Sequence, residues 1–135
     1  MDCIFCKIRD KELNHGIFYE DSECFAVPNR MSMYPGHVLL IPKKHEPDFW
    51  KVEKETFEHI AGIAQKISSV LIKEYNAVKI DLIISGFDVA HTHIHLIPVH
   101  DNKDLSNAFI TAKSIANLKD EELENIKVKL QNKLC

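Results

Sequence analysis

The chain has 135 residues and a formal net charge of −3, with 17 Lys and Arg against 20 Asp and Glu. That length suits one domain around one core, taken as residues 1–135, and the basic residues are scattered, which excludes a footprint for polymeric nucleic acid. No run approaches the ~20 apolar residues of a membrane span, "MDCIFCKIRD" carries no leader-like segment, and four unevenly spaced cysteines do not make a secreted disulfide framework, so the expected setting is cytoplasmic, with reduced thiols or a metal site.

In chain order, "CIFCKIRDKEL" predicts a short opening helix with Asp2 as N-cap and Ile4, Phe5 and Ile8 as its apolar positions. "GIFYED" and "ECFAVPN" are β-prone runs around the acidic turn "EDSE" and predict a hairpin. Pro35 and Gly36 then lead into a compact apolar strand, His37 to Ile41, closed by Pro42. Trp50 is expected to be packed in the core or an interface. From about Val52 to Tyr75 the apolar residues Phe57, Ile60, Ile63, Ala64, Ile67, Val70 and Leu71 recur at three and four, the period of a long amphipathic helix. "AVKIDLIIS" is a fourth strand, and a short "SGFD" turn joins it to a fifth, the histidine stretch "HTHIHLIPVH". The tail from about Leu118 to Leu134 predicts a second amphipathic helix on Leu123, Ile126, Leu130 and Leu134. Strands and helices do not alternate regularly, so the expectation is an α+β fold: a five-stranded, mainly antiparallel sheet with one long helix and a C-terminal helix.

The chemistry is concentrated in that fifth strand. His91, His93 and His95 stand two apart, and in a strand such residues share one face about 7 Å apart, whereas on a helix they would diverge. Thr92, Ile94 and Leu96 form the opposite, packing face, and Pro98 marks the end or an edge. Three aligned imidazoles suit either a metal site or phosphoryl chemistry. In the second case one ring attacks phosphorus while its other nitrogen is held by an acceptor, most simply a backbone carbonyl. Cys3 and Cys6 in "CIFC" have a spacing that lets both thiolates reach one ion, though the same spacing also serves redox pairs. Lone histidines His15, His59 and His100 are read as hydrogen-bonded surface or core residues, Cys24 as core and Cys135 as tail.

The triplet followed by Leu96 and Ile97, the segment "IFCKI" at Ile4 to Ile8, and "PGHVLLIPKKH" at Pro35 to His45 together resemble the histidine triad (HIT) family. The resemblance implies a HIT-like fold, usually a homodimer, and hydrolysis or transfer at the α-phosphate of a purine nucleotide derivative such as an AMP or GMP phosphoramidate or a dinucleoside polyphosphate. It makes His93 the nucleophile that is transiently nucleotidylated, His95 a contact to phosphate oxygens or the leaving group, and His91 the third catalytic-triad member. It places Ile4, Phe5, Ile8, Val27, Asn29 and Arg30 around base and ribose, with Asp88 in the phosphate loop. Some HIT proteins hold structural zinc with residues matching Cys3, Cys6, His45 and His91; His91 would then orient the triad from the metal side.

The chain departs from the family where phosphate should sit. Many members have glycine, glutamine and serine or threonine before the triad; here stand Gly86, Phe87 and Asp88, and a carboxylate beside a phosphate repels it. Asn29 replaces a frequent ribose-binding aspartate, and Arg30 an often apolar position. The alternative reading is therefore a nucleotide-binding or interaction module with little turnover. A third takes all three triad histidines as ligands of a catalytic zinc.

Overall fold

The computed structural model describes residues 2–32, 34–101 and 116–134; Cys135 lies outside them. Helix α1 spans Ile4–Arg9 and buries Phe5 and Ile8, while Ile4 stays 40% exposed. Its N-cap is Cys3, whose Sγ accepts from the Cys6 amide at 3.4 Å, and not Asp2. Asp2 instead pairs with Lys7 at 2.6 Å in solvent. The thiol is buried beneath the helix start, so it reaches the free amides that an exposed Asp2 side chain leaves to it.

The strands β1 (Tyr19–Glu20), β2 (Cys24–Pro28), β4 (Val38–Pro42), β5 (Lys79–Ile83) and β6 (Ile94–Val99) form a five-stranded sheet in the order β1-β2-β4-β6-β5, with every neighbouring pair antiparallel. The α+β expectation holds. Alternation splits the central strands: Cys24, Ala26, Val38, Leu40, Ile94 and Leu96 pack on one face, Phe25, Val27, Leu39 and Ile41 on the other. The first face is covered by α2 (Lys54–Glu74) through Ile60, Ala64, Ile67 and Leu71, and by α3 (Asp120–Leu134) through Leu130 and Leu134. The second is covered by Phe5 and Ile8 of α1. Burial on both faces is why "CFAV" and "VLLI" read as unbroken apolar runs.

The β1–β2 turn is closed by Asp21, which accepts from the amides of Glu23 and Cys24 at 2.8 and 2.9 Å, from Tyr19 Oη at 2.7 Å and from His59 Nε2 on α2 at 2.6 Å. Gly36, with φ 87, makes the turn into β4 where a Cβ would lie 2.6 Å from the Tyr75 ring, so no larger residue fits there without moving the helix end.

Several local expectations change. The fifth strand begins at Ile94, so His91 and His93 precede it, and the link from β5 is residues 84–93 rather than a tight turn. Pro98 sits within β6, opposite Ile80 of β5 and beyond the β4 ladder, which ends at Leu96; a residue without N–H costs nothing there. A small ladder pairs β3 (Met31–Ser32) with β7 (Ala116–Asn117). Trp50 is not in the core: it is 69% exposed on a 3-10 turn, edge-on to Phe49.

Candidate active site

The triad lies on the sheet face that carries α1. Thr92 fixes the segment just before β6 by donating to the Glu46 carbonyl twice, from its amide at 2.8 Å and its hydroxyl at 2.6 Å. The Phe5 ring then meets both His91 and His93, with centroids 5.8 and 4.9 Å away. His93 is 1% exposed, and its Nδ1 donates to the His91 carbonyl at 2.8 Å. A carbonyl can only accept, so Nδ1 carries a proton, and in the neutral ring the lone pair is on Nε2. That Nε2 lies 3.5 Å from Asp88 Oδ1, on a side chain that is 74% exposed.

His95, on β6 opposite Leu39, has its Nδ1 2.9 Å from Nε2 of His37, which is 2% exposed. Burial, helped by the neighbouring His93, holds His95 down to about 4. Burial and the His95 ring hold His37 down to about 3. Both rings are therefore neutral at pH 7. Asn29 Nδ2 stands 3.2 Å from His37 Nε2.

A cavity of about 380 Å³ opens in front of these rings, within the range of small-ligand sites. It is lined by His93, His95, Ile4, Phe5, Asn29, Arg30 and Asp88 from the expected set, together with His15, Met31, His37, Leu39 and Val89. Ile8 and Val27 do not line it: both are fully buried in the core behind the wall. Their strand and helix registers point them inward, which apolar character alone does not reveal. Arg30 is fixed away from free rotation by the Leu118 carbonyl at 2.9 Å and Asp120 at 2.6 Å. His37 is expected on the sheet face near the triad, and Leu39 could have been found from its alternation with His37 in "HVLLI"; His15 carries no local signal.

The cysteines and two histidines converge on the far side of His91. Its Nδ1 lies 3.4 Å from Cys3 Sγ, 3.6 Å from Cys6 Sγ and 3.2 Å from His45 Nδ1, and Cys6 Sγ lies 3.5 Å from His45 Nδ1. A zinc tetrahedron with ordinary bonds has N···N edges of about 3.3 Å and N···S edges of about 3.5 Å, so this set has the dimensions of a closed four-ligand zinc site. His91 Nε2 donates to the Pro42 carbonyl at 2.8 Å, which turns the Nδ1 lone pair toward the other three ligands. The three triad histidines do not form a ligand cluster of their own among the described residues. The third reading, a catalytic zinc on the triad, therefore lacks a site: His91 faces the thiols and His93 Nδ1 is spent on a carbonyl.

The sequence matches the HIT domain model over residues 10–102. An uncharacterized HIT-like protein of Methanocaldococcus jannaschii is 33% identical over 93% of this chain and 98% of its own. An adenosine 5'-monophosphoramidase of Saccharomyces cerevisiae is 30% identical over 75% of this chain and 65% of its own. Among solved structures, a zinc-bound histidine triad family protein of Mycobacterium smegmatis has the same fold, with a TM-score of 0.79, 24% identity and coverage of 99% of this chain and 94% of that one. On the extent of the domain match and of these relatives, the chain belongs to the HIT family.

Proposed function

We propose that the protein is a nucleotidyl hydrolase or transferase acting at the α-phosphorus of purine nucleoside 5'-phosphate derivatives, with residues 1–135 working as one domain. The observation that carries this is the tautomer of His93: Nδ1–H tied to the His91 carbonyl and the Nε2 lone pair at the head of the cavity. His93 attacks phosphorus through Nε2 and becomes the nucleotidyl carrier, which water then clears. His95, neutral and fixed by His37, contacts the phosphoryl oxygens, and Ile4, Phe5, Met31 and Leu39 give the base an apolar wall. A relative of this chain that is an adenosine 5'-monophosphoramidase supports the reaction class.

Zinc fits Cys3, Cys6, His45 and His91, and when bound it supplies a structural staple with no open coordination position. The donor set itself, two thiols and two correctly turned imidazoles, is the support.

A second reading, nucleotide binding with little turnover, is favoured by Asp88, whose carboxylate stands where an incoming phosphate would meet like charge. Hydrolysis of adenosine 5'-phosphoramidate, followed as released AMP, separates the two. The wild-type protein is expected to turn it over and to carry AMP covalently, and His93→Ala to lose at least ~10³-fold in kcat/KM with fold and zinc content kept. Normal turnover by the variant would refute the nucleophile; tight binding without turnover in the wild type would establish the second reading.

A further inference from the structure

The cavity in front of His93 does not end at Asp88. A second cleft of about 450 Å³ shares Ile4, Asp88 and Val89 with it and is lined further by Asp2 and Lys7 and, from the four-ligand cluster, by Cys3 and His45. Asp2 and Lys7 pair at 2.6 Å and offset each other. Asp88 has no Lys or Arg partner among the described residues; its Oδ1 accepts from the Val89 amide at 3.1 Å and lies 3.5 Å from His93 Nε2. It is thus the carboxylate shared by both spaces, and no lysine or arginine among the described residues offsets its charge in either.

In-line attack by Nε2 places phosphorus about 3 Å away and the leaving atom beyond it, so the departing group passes within a Debye length of that carboxylate. The two clefts and the charge between them lead to one conclusion, which rests on the nucleotidyl-transfer reading above. We propose that Asp88 is a specificity-determining residue that selects leaving groups by charge, the second cleft taking a cationic amine and repelling an anionic group such as a polyphosphate.

The step balances without another reactant. The His93 Nε2–P bond forms as the P–N bond of the N-protonated phosphoramidate breaks, and the electron pair leaves with the nitrogen of a neutral amine. Water then adds to phosphorus as the P–Nε2 bond breaks and its pair returns to the ring. Overall one water gives its hydroxyl to phosphorus and its proton to the amine.

Three adenosine 5'-phosphoramidates of matched length test this: those of ethylenediamine, propylamine and β-alanine, which end in an ammonium, a methyl and a carboxylate. The wild-type protein is expected to favour the first over the last by on the order of tenfold in kcat/KM, with propylamine between them and the preference shrinking as salt is raised. Asp88→Asn and Asp88→Ser are each expected to bring the ratio close to one. The ratio is read within each variant, so a common loss of turnover cancels. A wild-type ratio of one or below overturns the proposal, as does a ratio that both variants leave unchanged. Loss of all turnover in both variants also overturns it, because Asp88 would then serve the chemistry itself. If the wild type turns over none of the three, the hydrolase reading fails and takes this one with it.

Discussion

His37 and His95 are neutral in the fold at a pH where free histidines begin to protonate. Their ordinary value is 6.5, and burial lowers them to about 3 and about 4. Between those limits the unfolded chain binds the protons first, so the stability associated with keeping the rings neutral is fully present above about 6.5 and is lost as pH falls toward 4. His59 runs the other way: Asp21 raises it, so its contribution is complete below 6.5 and fades as pH rises through the raised value. It is a surface pair and the smaller effect. Urea midpoints measured from pH 7 to pH 4 should therefore fall, and fall less steeply in His37→Asn. Parallel curves for the two proteins would assign the acid loss to other groups. At this scale the sequence supplies the candidate residues but not their protonation. "HTHIH" announces three imidazoles; only the His91 carbonyl at 2.8 Å tells which nitrogen of His93 is free.

Among the elements, α1 is the one least able to stand alone. Its six residues fall well short of the ~12 that an isolated helix needs, and it is held by Phe5, Ile8 and the Cys3 and Cys6 side chains. If zinc joins Cys3 and Cys6 to His45 and His91, it pins this helix to the sheet. Cys6→Ser is then expected to drop bound zinc from about one per chain to near none, to lower Tm, and to speed amide exchange in α1 far more than in α2. Unchanged zinc content would show that the ion is held elsewhere. Helices α2 and α3 were legible because their apolar period runs over many turns, and the central strands because both faces are buried. The β3–β7 ladder was not: two residues have no period, and the partners of Met31 and Ser32 are Asn117 and Ala116, far along the chain. Nor was the start of the fifth strand, since alternation continues through His91 and His93 before the ladder with β4 and β5 begins.

For the molecule as a whole, α3 ties the helical layer to the site. Leu130 is fully buried against the core of α2 and the sheet, and the segment leading into α3 receives Arg30 from the cavity wall. Leu130→Ala should cost about 2–5 kcal/mol in unfolding free energy by leaving a cavity, with m unchanged in urea. A loss below ~1 kcal/mol would mean that α3 is not part of the cooperative core. The sequence by itself determined the layer architecture, the two amphipathic helices and the spacing of the histidine triplet, because periodicity and residue order are local properties. Tertiary structure decided the rest: the tautomer of His93, the neutrality of His37 and His95, the four-ligand cluster, and the withdrawal of Ile8 and Val27 behind the cavity wall. The His93 tautomer follows from the local backbone turn that brings the His91 carbonyl to its Nδ1; the others depend on distances between groups far apart in the chain, which packing sets.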